Sequence, residues 1–161
     1  MADGADNRAR ILSCAIHLFY QRGYDAVGVQ EIATAAGVTK PTLYYYFKSK
    51  LGLLEALLRE NCEPFCERLE QVAAGYQGEP KDTLYRLACT FVEIAQENRE
   101  LYFLLLSLNY SARENEAFKA VAPYMKRMFR ATTDFFVRAG DKLGNMNGRQ
   151  EQFAISFQGV I

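Results

Sequence analysis

The fold of this chain is decided by the stretch VQEIATAAGVTKPTLYYYFKSK, which runs from Val29 to Lys50. Its first part places apolar residues at the spacing i, i+3, i+4 and i+7, which marks one face of a short helix. These residues are Val29, Ile32, Ala33 and Ala36. Gly37 follows directly, at the position where a helix end favours a residue that tolerates a left-handed backbone. The pattern therefore predicts a short helix that ends next to Gly37.

A second short helix is predicted to begin at Thr39, whose hydroxyl can accept an early backbone N–H. Pro41 falls in the first turn of this helix, where a missing N–H costs little. Leu43 and Phe47 are expected to point back into the core, and the small side chain of Ala33 lets the two helices cross closely. Two short helices joined in this way form a helix-turn-helix, whose second helix can enter the major groove of duplex DNA.

The outer face of the second helix carries tyrosines and lysines. The formal net charge of the chain is +0, but the segment from Val38 to Lys50 holds three lysines and no acidic residue, which favours phosphate at short range. The predicted groove contacts are Lys40, Pro41, Thr42, Tyr44 and Tyr45. The predicted phosphate contacts are Tyr46, Lys48 and Lys50.

At these residues the sequence resembles the TetR (tetracycline-repressor-like) family of transcriptional regulators. The resemblance covers residues 7–58. It rests on Ile32-Ala33, Ala36-Gly37-Val38, Thr42-Leu43-Tyr44-Tyr45-Tyr46-Phe47, Lys48-Ser49-Lys50 and Leu53-Leu54. The first-helix stripe Ile11, Leu12, Ala15 and Phe19, followed by Gly23-Tyr24, fits the same family.

The resemblance implies an all-α fold with two functional parts. Residues 1–48 would form a three-helix DNA-binding head that contains the helix-turn-helix, and residues 49–161 a helical domain for ligand binding and dimerisation. It further implies a homodimer that binds a palindromic DNA operator, responds to a small-molecule effector and acts most often as a repressor. No cofactor is implied.

Four residues depart from the family pattern. Gly28 stands where the family usually has Thr or Ser, so a capping hydroxyl is lost before the helix that begins at Val29. Tyr46 stands where the family often has His. Leu51 and Gly52 occupy a turn that is often acidic, and Gly52 costs about 1 kcal/mol of helix propensity relative to Ala. These departures affect detailed contacts more than the class of protein.

The remaining sequence predicts further helices and no strand. Ser49 is expected to cap a helix that runs to Ala74 and that Pro64 kinks or breaks. The segment Glu100–Asn109 is apolar nearly all round, so we expect it to be covered on most sides. A later helix ending at Ala139 is expected to be interrupted early by Pro123. Because Gln152–Ile161 has no stop signal, the family's pair of dimerising helices is expected to be incomplete at this end.

Aromatic and methionine side chains in the later helices suit a pocket for a small apolar or aromatic ligand. The predicted ligand-binding residues are Tyr85, Phe91, Tyr102, Phe103, Tyr110, Tyr124, Met128 and Phe129. The alternative for each of them is ordinary core packing.

Four cysteines and one histidine allow a further alternative. Cys62 and Cys66 are four residues apart on a predicted helix, so a redox-sensing or metal-sensing regulator is possible. The plainer interpretation treats all four cysteines as small buried residues in a reducing cytoplasm. We favour that interpretation and predict neither a metal site nor catalytic residues, since common catalytic motifs are missing.

A last alternative is a helical small-molecule carrier or enzyme whose helix-turn-helix is only a packing unit. Half of the 161 residues are hydrophobic, which supports a proper core, yet no apolar run is long enough to span a membrane. The N-terminus has no signal-peptide pattern. The sequence therefore predicts a cytoplasmic, non-enzymatic protein that makes no membrane contact.

Overall fold

The computed structural model describes residues 2–160, and side chains from residue 5 onward. Its helices are α1 (Ala2–Arg22), α2 (Val29–Ala35), α3 (Lys40–Phe47), α4 (Lys50–Ala74), α5 (Pro80–Glu97), α6 (Arg99–Asn109), α7 (Glu116–Arg138) and α8 (Gln150–Val160). A short 3-10 helix lies at Gly140–Lys142. Within the described range there is no strand, which confirms the prediction of an all-α fold.

The chain forms two compact units. The first unit consists of the chain up to Asn61 together with Asn98–Ala122. The second unit consists of Cys62–Glu97 and the chain from Pro123 onward. Helices α4 and α7 each contribute residues to both units. The first unit therefore contains α6 in addition to the three N-terminal helices.

The core of the first unit is built on α1, which contacts α2, α3 and α6. Its fully or nearly fully buried side chains include Ile11, Ala15, Phe19, Ile32, Ala33, Leu43, Leu53, Leu54 and Leu57. Burial of each large apolar side chain of this kind stabilises the fold by about 1.5–3 kcal/mol. The apolar stripes predicted for α1, α2 and α3 are thus the faces that hold the head together.

The second unit packs its helices around an aromatic and aliphatic cluster. Its buried members are Phe65, Cys66, Leu69, Ala73, Leu87, Ile94, Met128, Ala131, Phe135, Phe136, Ala139, Met146 and Ala154. Tyr76 packs edge-on against Phe135, with ring centroids 5.6 Å apart. These residues come from α4, α5, α7 and α8 and from the segments that follow α4 and α7. The helices of this unit therefore pack against one another through this cluster.

Neither internal proline breaks its helix, so the predicted interruption at Pro123 is wrong, and of the kink or break predicted at Pro64 the break does not occur. Helix α4 runs through Pro64, and α7 runs through Pro123. A proline leaves the carbonyl four residues earlier without its helical N–H partner. Both prolines are exposed, as are Glu60 and Lys119, which carry the freed carbonyls. Water can therefore replace the lost hydrogen bonds, and the helices continue.

Helix α6 is less covered than its sequence predicted. Four leucines of this helix are buried, but Phe103 remains 41% exposed. Its ring lies 6.2 Å from the ring of Tyr20, and the Arg99 guanidinium group lies 5.5 Å from its centroid. A large ring can thus be shielded on its faces by neighbours while its edge stays in water.

Candidate DNA-binding site

Helix α2 and the following turn have the geometry predicted from their sequence. Gly28 is the N-cap of α2 and supplies no side-chain hydrogen bond, as expected from the missing hydroxyl. Gly37 has φ +63, a conformation that glycine adopts without steric cost. The N–H of Val38 donates to the Ala33 carbonyl at 3.0 Å, which closes the C-terminal end of the helix.

Thr39 caps α3, the helix that would read DNA. Its Oγ1 accepts a hydrogen bond from the backbone N–H of Thr42 at 3.3 Å, and the two hydroxyls are 2.8 Å apart. Leu43 and Phe47 are buried and fix the inner face of α3. The outer face is open: Tyr45 is 74% exposed, and Lys40, Pro41, Tyr44 and Lys48 are also exposed. Thr42 and Tyr46 are half-buried at its borders.

The junction between α3 and α4 is unusually tight. Lys48 has φ 66 and ψ −37, and the Ser49 N–H donates to the Phe47 carbonyl at 2.7 Å. This combination is a γ-turn of the rare positive-φ type, which is strained for a residue with a side chain. Ser49 then caps α4 by accepting the Gly52 N–H at 2.8 Å, which confirms the predicted cap. The strained residue is one of the exposed lysines of the site.

Two lysines lie beside exposed tyrosines at the opposite ends of α3. The ammonium nitrogen of Lys40 is 5.8 Å from the ring centroid of Tyr44, and that of Lys48 is 5.7 Å from the ring of Tyr45. Lys48 Nζ also donates to the Tyr45 carbonyl at 3.2 Å. Cation–π contacts at exposed positions contribute only about 0.5–1 kcal/mol, so these ammonium groups can exchange to a phosphate.

Lys50 differs from the other lysines of the predicted set. Its Nζ donates to the carbonyls of Tyr24 at 2.7 Å, Val27 at 3.0 Å and Asp25 at 3.4 Å. The predicted contact of Lys50 with phosphate would have to compete with these three hydrogen bonds. Sequence reasoning missed this arrangement because the partners are separated from Lys50 by more than twenty residues.

A second set of contacts on the same turn was also missed. The Tyr24 hydroxyl donates to Glu116 at 2.5 Å, and the Asn115 side-chain amide donates to the Asp25 carboxylate at 2.8 Å. Gly23-Tyr24 stood out in the sequence only as a turn. Nothing local in the sequence connects this turn with residues ninety or more positions away.

The predicted ligand-binding residues are divided between the two units. Phe91, Tyr124, Met128 and Phe129 lie together in or against the apolar cluster of the second unit. Tyr85 is in the same unit but is 71% exposed. Tyr102, Phe103 and Tyr110 belong to the first unit, where Tyr110 is 83% exposed. The structure thus brings four of the eight residues into one apolar cluster.

The two helical cysteines are buried in the second unit. Burial raises the pKa of the Cys62 thiol to about 12 and that of the Cys66 thiol to about 11. The Cys66 thiol points at the Tyr124 carbonyl, with sulfur and oxygen 3.8 Å apart. Among the residues described, no group of three or more His, Cys, Asp and Glu side chains could hold a metal ion. Buried thiols with raised pKa values are poor nucleophiles and poor metal ligands.

Comparison with known proteins matches this architecture to one family. The sequence pattern of the bacterial regulatory proteins of the tetR family matches residues 11–57. The HTH-type transcriptional regulator YvkB of Bacillus subtilis is 30% identical over 152 residues, which cover 94% of this chain and 77% of YvkB. This chain belongs to the TetR family. It is therefore a helix-turn-helix transcriptional regulator, as its sequence predicted.

Solved structures of TetR proteins have the same fold. A TetR-family transcriptional regulator from Bordetella parapertussis is 25% identical with a TM-score of 0.77, covering 95% of this chain and 79% of that one. The regulator FadR from Bacillus subtilis, solved in complex with stearoyl-CoA, is 22% identical with a TM-score of 0.75. That match covers 94% of this chain and 81% of FadR.

Other curated relatives are matched over shorter segments, and this TetR chain spans between 39% and 48% of the length of four of them. In the described part of the chain, no helix is both long enough and apolar enough to cross a membrane.

Proposed function

We propose that this protein is a ligand-released repressor that binds a palindromic operator as a homodimer, with α3 in the major groove. The observation that carries the proposal is the outer face of α3. This face is open, polar and free of acidic residues, although the inner face is fully buried. A helix that served only for packing would have no reason to keep three adjacent tyrosines and flanking lysines at the surface.

In this proposal, residues 1–48 form the DNA-binding head, and residues 49–161 form the part that binds the ligand and dimerises. Base-edge contacts are assigned to the exposed Lys40, Pro41, Tyr44 and Tyr45 of α3 and to the half-buried Thr42. Tyr46 and Lys48 are assigned to phosphate, where they would fix the register of the helix without reading sequence. Tyr45 is the strongest candidate for base contact because it is the most exposed of the three tyrosines.

The effector is proposed to be a small apolar or aromatic molecule that binds in the later helices. Two observations support this class of ligand. The apolar cluster of the second unit gathers Phe91, Tyr124, Met128 and Phe129, and the fold relative FadR holds stearoyl-CoA, a ligand with a long apolar chain. Tyr85, Tyr102, Phe103 and Tyr110 remain proposed ligand contacts, of which Tyr102 is half-buried and the others are exposed.

The homodimer is supported by the chemistry of α8. Phe153 and Val160 are exposed seven residues apart on one face of this helix, and an apolar face of this kind is typical of a protein interface. Two heads are needed because a palindromic operator presents two half-sites one or more helical turns apart. A single head with few phosphate contacts would bind weakly at physiological salt.

Both competing hypotheses are disfavoured by specific observations. The carrier or enzyme hypothesis does not explain the polar outer face of α3, and we propose that the protein has no catalytic activity. The redox or metal sensor requires accessible thiols, whereas Cys62 and Cys66 are buried with raised pKa values. We further propose that the protein acts in the cytoplasm, where its DNA target lies.

The proposal is tested by fluorescence-anisotropy titration with duplexes that tile the DNA on either side of the gene, in the presence of competitor DNA. We expect tight binding to one palindromic segment and a strong loss of that binding in Tyr45→Ala. Tyr20→Ala is the matched control, because it removes another exposed tyrosine that lies outside α3 and is assigned no contact with DNA or ligand. A dimeric protein with no preference for any segment would contradict the proposed function.

A further inference from the structure

The turn between α1 and α2, residues 23–28, is held by side chains from outside the helix-turn-helix. Gly23 has φ +80 and its N–H donates to the Phe19 carbonyl at 2.9 Å, which ends α1. Beyond it the turn has few hydrogen bonds of its own: the Val27 N–H reaches the Tyr24 carbonyl at 3.4 Å. Further hydrogen bonds to the turn come from side chains elsewhere in the chain.

Lys50 supplies the first of these groups. Its ammonium group donates to three carbonyls of the turn and lies 4.2 Å from the ring centroid of Tyr24. An ammonium group has three N–H donors, so all of them are used within the protein. Hydrogen bonds from a charged donor contribute more than neutral ones, and releasing Lys50 to a phosphate would take this donor away from three carbonyls of the turn.

The start of α7 supplies the second group. The Tyr24 ring is 4% exposed, and its hydroxyl donates to the Glu116 carboxylate at 2.5 Å. Burial and the neighbouring Glu116 carboxylate raise the pKa of Tyr24 far above its ordinary value, so the hydroxyl keeps its proton and remains a donor. The buried Tyr24 side chain is thus held by Glu116 at its hydroxyl and by Lys50 at its ring.

Asn115 connects the same helix end to the turn by a separate route. Its side-chain amide donates to the Asp25 carboxylate at 2.8 Å, while its carbonyl oxygen accepts the Ala117 N–H at 2.8 Å. The second bond caps the first turn of α7. Asn115 is therefore hydrogen-bonded both to the first turn of α7 and to the turn between α1 and α2.

We propose that Asn115 and Glu116 form a latch through which α7 positions the helix-turn-helix, and that Lys50 is a positioning residue for the same turn and not a phosphate ligand. The inference rests on the proposed function. Helix α7 begins at Glu116, directly after Asn115. Loss of the hydrogen bonds that these two residues make to Tyr24 and Asp25 would free the turn and alter the aim of α3.

The role of Lys50 is tested by the salt dependence of operator binding, with the operator segment from the tiling titration as the probe. Lys50→Met is expected to weaken binding while the slope of log affinity against log salt stays that of the wild type. Lys48→Met is the matched control and should lower the slope by about one unit for each head. An equal fall of the slope in Lys50→Met would overturn the assignment.

The latch is tested with Tyr24→Phe, Glu116→Ala and the double variant. Each single change should speed amide hydrogen exchange at Val27, whose N–H donates within the turn, by about tenfold, the scale expected for one hydrogen bond to a charged group. The double variant should be no faster than either single one, because both remove the same bond. Glu114→Ala, which changes an exposed acid two residues away, should leave exchange unchanged.

Exchange needs no DNA, so the latch and the proposed function fail separately. If no duplex binds, the proposed repressor function is wrong, but the result of the hydrogen-exchange measurement is unaffected. Unchanged exchange in Tyr24→Phe and Glu116→Ala would overturn the latch even if an operator is found. Should Lys50→Met fold poorly, Lys50→Gln provides the same comparison of affinity and salt slope, because its amide can still donate to the turn although the charge is lost.

Discussion

The guanidinium group of Arg127 donates two hydrogen bonds of 2.9 Å to the carboxylate of Glu70, and so joins α7 to α4 in the second unit. A third hydrogen bond connects the same guanidinium group to Glu63. The planar fork of arginine fits a carboxylate in this two-bond geometry. These hydrogen bonds from Arg127 hold the pKa of Glu70 below its ordinary value of 4.5.

Glu70→Gln is therefore expected to destabilise the protein in a pH-dependent manner. A carboxyl group with a lowered pKa in the folded state contributes stability above its unfolded pKa and loses it as the pH falls through the folded value. Because both partners are partly exposed, the effect should be about 1 kcal/mol or less. Thermal unfolding between about pH 3 and pH 7 should show the difference from wild type shrinking towards the acid end. Glu67→Gln, an exposed change on the same helix, should show no such trend.

Lys48→Gly and Lys48→Ala separate the backbone of this residue from its charge. Both variants lose the ammonium group, so both should lower the salt slope of DNA binding equally. Glycine adopts the φ of 66 without strain, so Lys48→Gly should be more stable than Lys48→Ala by about 1 kcal/mol. Chemical denaturation measures the difference. Equal stabilities would mean that the γ-turn is not strained in solution.

The four cysteines should react with a thiol reagent in two classes. Cys14 and Cys89 are partly exposed and should be labelled in the folded protein, whereas Cys62 and Cys66 should be labelled only after unfolding, because burial raises their pKa values and blocks access. Mass spectrometry of the labelled peptides distinguishes the sites. Rapid labelling of Cys62 or Cys66 in the native state would restore the redox-sensor hypothesis.

Removal of the α3 cap should weaken the head as a whole. Thr39→Ala deletes the acceptor for the Thr42 N–H and is expected to cost about 1 kcal/mol of stability. Thr39→Ser retains the hydroxyl and is the control that should preserve most of it. The free energy of unfolding from denaturant titration reports both, and a Thr39→Ala variant as stable as wild type would show that water replaces the cap without loss.

The helix-turn-helix could be predicted from sequence because its determinants are local. Gly37, Thr39, Leu43 and Phe47 each act within one or two helical turns of their own position, and the structure places all four as expected. The sequence also indicated the exposed face of α3, since that face is simply the one left over when Leu43 and Phe47 are buried.

Features that depend on distant parts of the chain were not predictable in this way. The attachment of Lys50, Asn115 and Glu116 to one turn joins segments up to ninety-two residues apart, and no periodic pattern encodes it. The uninterrupted course of α7 through Pro123 was missed for a related reason. The effect of a proline depends on whether its side of the helix faces water, which the fold decides.

Gly52 shows how misleading a residue can be when it is judged by its own helix alone. Helix propensity counts it as a defect, yet a Cβ atom at this position would lie 2.1 Å from the Phe47 carbonyl oxygen. Protein engineers who raise thermal stability by exchanging helical glycines for alanine should therefore leave this one untouched. The missing methyl group leaves room for the C-terminal end of α3. An alanine at this position would raise the helix propensity of α4, but it would displace the end of α3 and so change the direction in which α3 points.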